Sequence, residues 1–403
     1  MFCGTYTGLS TGYARISHSI TNFLCDHHEV FHMAIQAYDD IDRSSNQKIT
    51  VIKEKGFGYE NINNYVQEIK PDVVILYNDL IVCSHYVSQF LASTAPKKEF
   101  KLVVYLDITY KGSKYVHHLN KLTDTFVCFN KSWERYLTTC GIPPEKLTTI
   151  EHEVRVVNAP SVSESRKAWS LAEEDFVVLN LNRNSYRKLL DITIDAFLQF
   201  FKKNNFAPNI KLFLGCKFTK EGWIDVQSVV QMYARLNGYE QEELTFVLNN
   251  SILRSPADHM SDEAIRMLYN ACDVGINTCG GEGYGLCNVE HQLFGKPQIL
   301  TRIDTFDELF DAEWCRFLPV KTRIAMSHVI DDPLYGGHVG GTLEIPDAKD
   351  AAKAMDFYYK NPEIRTAHGA RGRRAFEENR VDMHRSEERR VGKECRSRWS
   401  PYH

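Results

Sequence analysis

The chain has 403 residues, 43% of them hydrophobic and 25% charged, a balance that excludes collagen, coiled coil and bulk disorder. A formal net charge of −4 speaks against nucleic acid as the main partner. Its 11 cysteines lack Cys-x-x-Cys pairs, which suits reduced thiols in a cytoplasmic compartment. No apolar run approaches the roughly 20 residues that span a bilayer, and the start, Met1-Phe2-Cys3-Gly4-Thr5-Tyr6, lacks the basic-then-apolar order of a secretory signal. At about 150 residues per domain, the length predicts two to three domains.

Short β-branched runs come first as predicted strands at Val30–Ile35, Ile49–Ile52, Val73–Tyr77, Leu102–Leu106 and Phe126–Phe129. Between them, apolar residues fall at helical spacing, as in Ile16, Ile20, Phe23 and Leu24, or Val82, Tyr86, Phe90 and Leu91. This β-α rhythm predicts a parallel sheet with helices on both faces. It pauses at Val157–Glu164, a polar stretch with Pro160, and a linker is expected over 157–172. It resumes with a strand at Phe176–Leu181, a helix from Leu189 to Phe201, and strands at Ile210–Leu214, Leu244–Leu248, Val274–Asn277 and Gln298–Thr301. A glycine-rich patch, Tyr335–Gly341, reads as a mobile loop. Helices are then expected from Asp347 to Asn361 and from Pro362 to near Asn379. The predicted domains are therefore 1–156 and 173–384, both α/β.

The last 19 residues, from Arg385 to His403, break this pattern: they are basic and have no apolar period. They resemble a translated sequencing-library adapter, since the DNA string AGATCGGAAGAG encodes Arg-Ser-Glu-Glu, the order at Arg385–Glu388. Residues 385–403 are read as a non-native tail that cuts the natural chain near His384, and no function is assigned to them.

The chemistry concentrates in Cys279–Pro297, where a predicted strand runs into a glycine-rich loop and a helix begins near Asn288. In a parallel α/β sheet, ligands sit beyond the carboxyl ends of strands, where this loop lies. Gly281, Gly283 and Gly285 let backbone N–H groups come close to an anion, and the helix start adds partial positive charge, so a phosphate is the expected guest. Carboxylates would repel that anion. Glu282 on the loop and Glu290 in the first helical turn are therefore expected to bind hydroxyls.

Glu282-Gly-Tyr284-Gly-Leu286-x-x-x-Glu290, followed by Phe294-Gly-Lys-Pro297, resembles the signature of family 4 retaining glycosyltransferases of the GT-B fold. Asn182-Arg183-x-x-x-x-Lys188 is similar to that family's Arg and Lys that neutralise the donor diphosphate, and Gly4–Arg15, including Gly8, resembles the loop after its first strand. The likeness implies two Rossmann-like domains facing across a cleft, an acceptor domain first and a donor domain second. It implies transfer of a hexose from a nucleotide-diphosphate sugar with retention of configuration; because Arg183 and Lys188 can carry the charge, no divalent ion or cofactor is expected. The acceptor stays open between sugar, lipid and protein. Glu282 would contact the donor sugar and Glu290 the ribose, with Arg183 and Lys188 on the diphosphate, Gly281, Gly283, Tyr284, Gly285 and Leu286 lying against it, and Gly8 also binding the donor. Two departures stand out. Only Met1-Phe2-Cys3 precede the first glycine loop, which implies an N-terminal truncation, and Leu106-Asp107-Ile108 stands where many members carry His-Asp. Asp107 is retained as a catalytic candidate, and His117 and His118 are the alternatives for the missing histidine. A C-terminal helix crossing back to the first domain would be lost with the cut. Two other readings stay open: a sugar-nucleotide or carbohydrate-binding module without turnover, and a nucleotide-sugar epimerase.

Competing motifs carry less. Gly8-Leu9-Ser10-Thr11-Gly12 fits a hydrolase nucleophile elbow but lacks the upstream strands that build an oxyanion hole. Asp40-Ile41-Asp42 has the Asp-x-Asp form of metal-dependent sugar transferases, and Cys25, His27, His28 and His32 form a single cluster without a second. No metal site is expected. Weak membrane-surface association, if present, is assigned to Tyr110–Lys121.

Overall fold

β-Branched and aromatic residues are frequent in two sets of short strands, and each set pairs in parallel, with helices between successive members except β2 and β3 among the described residues. In the first set these are β1 (Phe2–Thr5), β2 (Val30–Ile35), β3 (Ile49–Lys53), β4 (Val73–Asp79), β5 (Lys101–Asp107), β6 (Thr125–Cys128) and β7 (Leu147–Thr149). In the second they are β8 (Phe176–Asn180), β9 (Ile210–Leu214), β10 (Ile252–Arg254), β11 (Val274–Asn277), β12 (Gln298–Thr301) and β13 (Arg316–Leu318). The structure, a computed structural model, describes every residue except 10, 39–45, 93–97, 110–114, 153, 155–159, 217, 219–222, 255–259, 326–330, 333–336, 339–341 and 380–403.

The chain divides into two compact units, one built on Met1–Glu153 and one on Val154–His328 with Gly341–Asn379. The first holds the sheet β3-β2-β1-β4-β5-β6-β7 and the second the sheet β10-β9-β8-β11-β12-β13. Both follow the doubly wound order, in which the chain runs outward from a central strand, returns, and runs outward the other way. The order reverses between β1 and β4 in one sheet and between β8 and β11 in the other. Those two gaps are where such sheets bind ligands.

Each unit has its own core. In the second, Phe197, Phe200 and Phe201 of the helix Leu190–Lys203 pack on Ile210, Leu212 and Leu214 of β9 and on Met355 and Tyr358 of the helix Ala348–Lys360. In the first, Val74, Leu76, Leu102, Val104 and Phe126 line one sheet face beneath Val82, Cys83, Tyr86 and Val87 of the helix Leu80–Ala92. Helix Gly12–Cys25 starts where Thr11 accepts from the Ala14 amide at 3.1 Å, and it buries Ile16 and Ile20.

One expectation changes, and three others gain detail. Leu244–Leu248 is not a strand: it lies inside the helix Gln241–Asn250, opened by a capping box between Glu240 and Glu243, and Leu244 and Val247 are buried one turn apart. The strand of this β-α step is the shorter β10. The stretch expected as linker carries the helix Val162–Ala168, capped by Ser161 and Glu164. The residues before the first glycine loop belong to β1, which pairs with both β2 and β4 and contains Gly4, whose missing side chain leaves room for the Phe2 ring and the Ser17 hydroxyl. Within the glycine-rich patch, Gly337–His338 pairs with Asp331–Asp332 as a short antiparallel ladder, and the rest lies outside the described residues.

Candidate functional site

Two loops converge at the β8–β11 gap. The first follows β8 and tightens into a 3-10 turn at Tyr186–Lys188, and the second, Cys279–Gly285, follows β11. Backbone ties hold them together, with the Gly280 amide donating to the Arg187 carbonyl at 2.8 Å. Side chains below extend the tie. Asn180 donates to Thr193, Thr193 lies 2.8 Å from Thr278, and the Thr278 hydroxyl donates to the Leu189 carbonyl at 2.9 Å. Ending a strand in Asn and Thr rather than in apolar residues lets the two loops share one hydrogen-bonded floor.

On that floor sits a three-residue charge cluster in which Lys188 and Glu282 are buried and Arg187 is half-buried. Glu282 Oε2 accepts from Lys188 Nζ, and its Oε1 accepts from Arg187 Nη1 at 3.2 Å. Arg187 also donates to the Gly281 carbonyl at 3.0 Å, and the Thr305 hydroxyl donates to the Glu282 carbonyl at 2.8 Å. Lys188 and Glu282 are 7% and 8% exposed, so both charges have left water. Burial pushes the Glu282 carboxyl up, but Lys188 and then Arg187 outweigh it and bring it down to about 2. The result is a fixed carboxylate between two cations.

The loop then turns sharply into the helix Leu286–Leu293. Gly285 makes the turn at φ 84°, and a Cβ there would lie 2.5 Å from the Phe306 ring, so both conformation and space demand glycine. Glu290 lies in the second helical turn rather than the first, because the helix starts two residues earlier than expected, and its Oε2 accepts from Tyr269 OH at 2.9 Å. Asn277, Asn288 and Gln298 form a buried relay that locks this helix to β11 and β12.

In the first unit, Asp79 and Asp107 end β4 and β5 in register, beside the β1–β4 gap. The Tyr13 phenol reaches both carboxylates, Asp79 Oδ1 at 2.7 Å and Asp107 Oδ2 at 2.5 Å. Burial and then the two aspartates push its pKa well above the ordinary phenol value, so Tyr13 remains a donor. Gly8 lies in the loop after β1 with the Tyr6 ring against it, and a Cβ there would meet that ring at 2.5 Å.

No protein-family model matches the chain, and neither does any curated protein. Solved structures do. The chain is similar to Anabaena Alr3699/HepE in complex with UDP and glucose, at 16% identity and a TM-score of 0.67 over 98% of both chains. It is similar to sucrose-phosphate synthase from Thermosynechococcus elongatus, at 13% identity and a TM-score of 0.64 over 90% of this chain and 86% of that one. A glycosyltransferase from Rickettsia africae ESF-5 gives 12% identity and a TM-score of 0.63 over 92% of each. The fold is GT-B.

Within this GT-B chain, the expected residues divide. Gly281, Glu282, Gly283, Tyr284, Gly285, Leu286, Glu290 and Lys188 come together in the second unit, whereas Gly8 and Asp107 belong to the first. Arg183 is exposed, and the guanidinium on Glu282 is that of Arg187, which the Arg-x-x-x-x-Lys spacing passed over. The turn folds both Arg187 and Lys188 onto a buried carboxylate. His117 is exposed, while His118 Nε2 lies 2.9 Å from the Ser88 hydroxyl. His32 is buried in β2 with Nε2 3.2 Å from the Gly4 carbonyl, and Cys25 Sγ donates to the Asn22 carbonyl. Among the described residues no group of three His, Cys, Asp or Glu could hold a metal, and no helix is long and apolar enough to cross a membrane. Asp40-Ile41-Asp42, Ser10, residues 110–114 and the tail 385–403 lie outside the described residues.

Proposed function

We propose that the chain transfers a hexose from a nucleotide-diphosphate sugar to an acceptor with retention of configuration, as a family 4-like enzyme. The observation that carries this reading is the Lys188–Glu282–Arg187 cluster around a buried carboxylate, set at the topological switch point of the second sheet beside a glycine-turned helix start. Cations and loop amides suit a diphosphate, and a carboxylate amid them suits sugar hydroxyls. The neighbours support it by analogy, HepE having been captured with UDP and with UDP-glucose.

In this reading the second unit binds donor and the first binds acceptor. Lys188 and Arg187, with Arg183 as a third cation from the exposed side of the loop, neutralise the diphosphate, helped by the amides from Gly283 to Leu286. Glu282 orients the sugar and Glu290 holds ribose. As the bond from the anomeric carbon to phosphate breaks and that to the acceptor oxygen forms, the leaving phosphate takes the acceptor proton. Gly8 shapes the loop at the first switch point, and Asp107 with Asp79 accepts hydrogen bonds from acceptor hydroxyls there, without taking the proton. Cationic side chains supply the charge neutralisation, so no divalent ion or other cofactor is required. Ten described cysteines are free thiols, which suits the cytoplasm. The test is incubation with a panel of radiolabelled sugar nucleotides, following nucleoside diphosphate release. At least one donor should turn over. Binding of donors with neither transfer nor hydrolysis would reduce the protein to a binding module.

A further inference from the structure

Every polar contact of the Glu282 carboxylate named above is with a cation that a diphosphate also needs. Lys188 holds one oxygen and Arg187 the other, and Arg187 also donates to the Gly281 carbonyl. A diphosphate arriving at these cations competes with Glu282 for them. A carboxylate that is about nine-tenths buried and deprived of its cations cannot stay ionised at low cost unless new donors replace them. The nucleotide itself offers none at that position, because phosphate oxygens at neutral pH only accept. A sugar on the terminal phosphate offers several hydroxyl donors.

We infer that Glu282 is a selectivity gate: it penalises binding of a bare nucleoside diphosphate and releases that penalty only when a sugar is attached. Donor binding exchanges Glu282 for phosphate on Lys188 and Arg187 and hands Glu282 to the sugar hydroxyls. After transfer the sugar has left, Glu282 recaptures its cations, and the nucleotide product is expelled. The same carboxylate thus serves donor recognition and product release. This rests on the donor-binding reading above.

The test is calorimetric titration of the full chain with UDP and with UDP-glucose, for the wild type, Glu282→Gln and Glu282→Asp, with melting curves to check folding. Glu282→Gln removes the competing charge, so UDP should bind at least tenfold more tightly than to the wild type. UDP-glucose should gain much less, so the preference for the sugar-bearing ligand falls at least tenfold. Glu282→Asp is one methylene too short to hold both cations, and it should tighten UDP by a smaller factor. It serves if Glu282→Gln does not fold. Unchanged or weaker UDP binding in the folded variants would overturn the gate while leaving donor binding intact. Failure of the wild type to bind either ligand would instead overturn the donor-binding reading, and the gate with it.

Discussion

Replacing Lys188 by Met keeps the length and apolar stem of the side chain and deletes its charge, which strands Glu282 with Arg187 alone. Removing one partner of a buried ion pair costs about 3–5 kcal/mol, and the remaining Arg187 contact at 3.2 Å places this case near the lower end, about 3 kcal/mol at pH 7. The pH dependence sharpens the test. Burial alone raises the Glu282 carboxyl, and the two cations bring it from an ordinary 4.5 to about 2. A depressed carboxyl stabilises the fold above its unfolded pKa, and that contribution disappears as pH falls through its folded value. Without Lys188, burial is opposed by Arg187 only and the Glu282 pKa rises, so protonation relieves the variant at mildly acid pH. The deficit should therefore shrink by about half between pH 7 and pH 4, read by urea denaturation at several pH values. Turnover of a sugar nucleotide at pH 7 should fall by about 10²–10³ in folded protein. A variant as stable as the wild type, or one whose deficit is the same at pH 4 and pH 7, would refute the electrostatic account of the cluster.

Three further outcomes follow from the same geometry. Gly285→Ala should destabilise the second unit by about 1–2 kcal/mol from backbone handedness alone, with the Phe306 clash adding to it, as read by denaturant midpoint. Glu290→Gln should raise the donor KM about tenfold with kcat nearly unchanged, because it loses a ground-state contact to ribose, and steady-state kinetics separates the two. Chelation with EDTA should leave activity intact, since Lys188 and Arg187 carry the charge. Loss restored by manganese would return attention to Asp40 and Asp42.

The alternating β-α architecture was legible because its strands are short, β-branched runs set between amphipathic helices. The Leu244–Leu248 run was not, because five apolar-rich residues fit either period, and what decides is the capping box just upstream. The Gly-rich loop and its two glutamates could be read from residue order, since only glycine permits the turn at Gly285. Which cations reach Glu282 could not. Arg183, Arg187 and Lys188 differ little in sequence context, and the choice among them is made by a 3-10 turn and the Gly280–Arg187 backbone bond. The Asn180–Thr193–Thr278 floor was also invisible, because its members lie far apart in the chain and each looks like an ordinary strand end or helix residue. Tyr13 was missed for a similar reason. It reads as a helix residue until the register of β4 and β5 brings Asp79 and Asp107 beneath its hydroxyl.

The central claim is that the cluster after β8 and β11 receives a sugar-nucleotide diphosphate, and a crystal structure with UDP-glucose bound tests it directly. The account predicts phosphate oxygens on Lys188 Nζ, Arg187 and the amides of Gly283–Leu286, ribose on Glu290, and Glu282 parted from Lys188 and bonded to the sugar. A complex in which Lys188 still holds Glu282 and the diphosphate touches neither Lys188 nor Arg187 would contradict it.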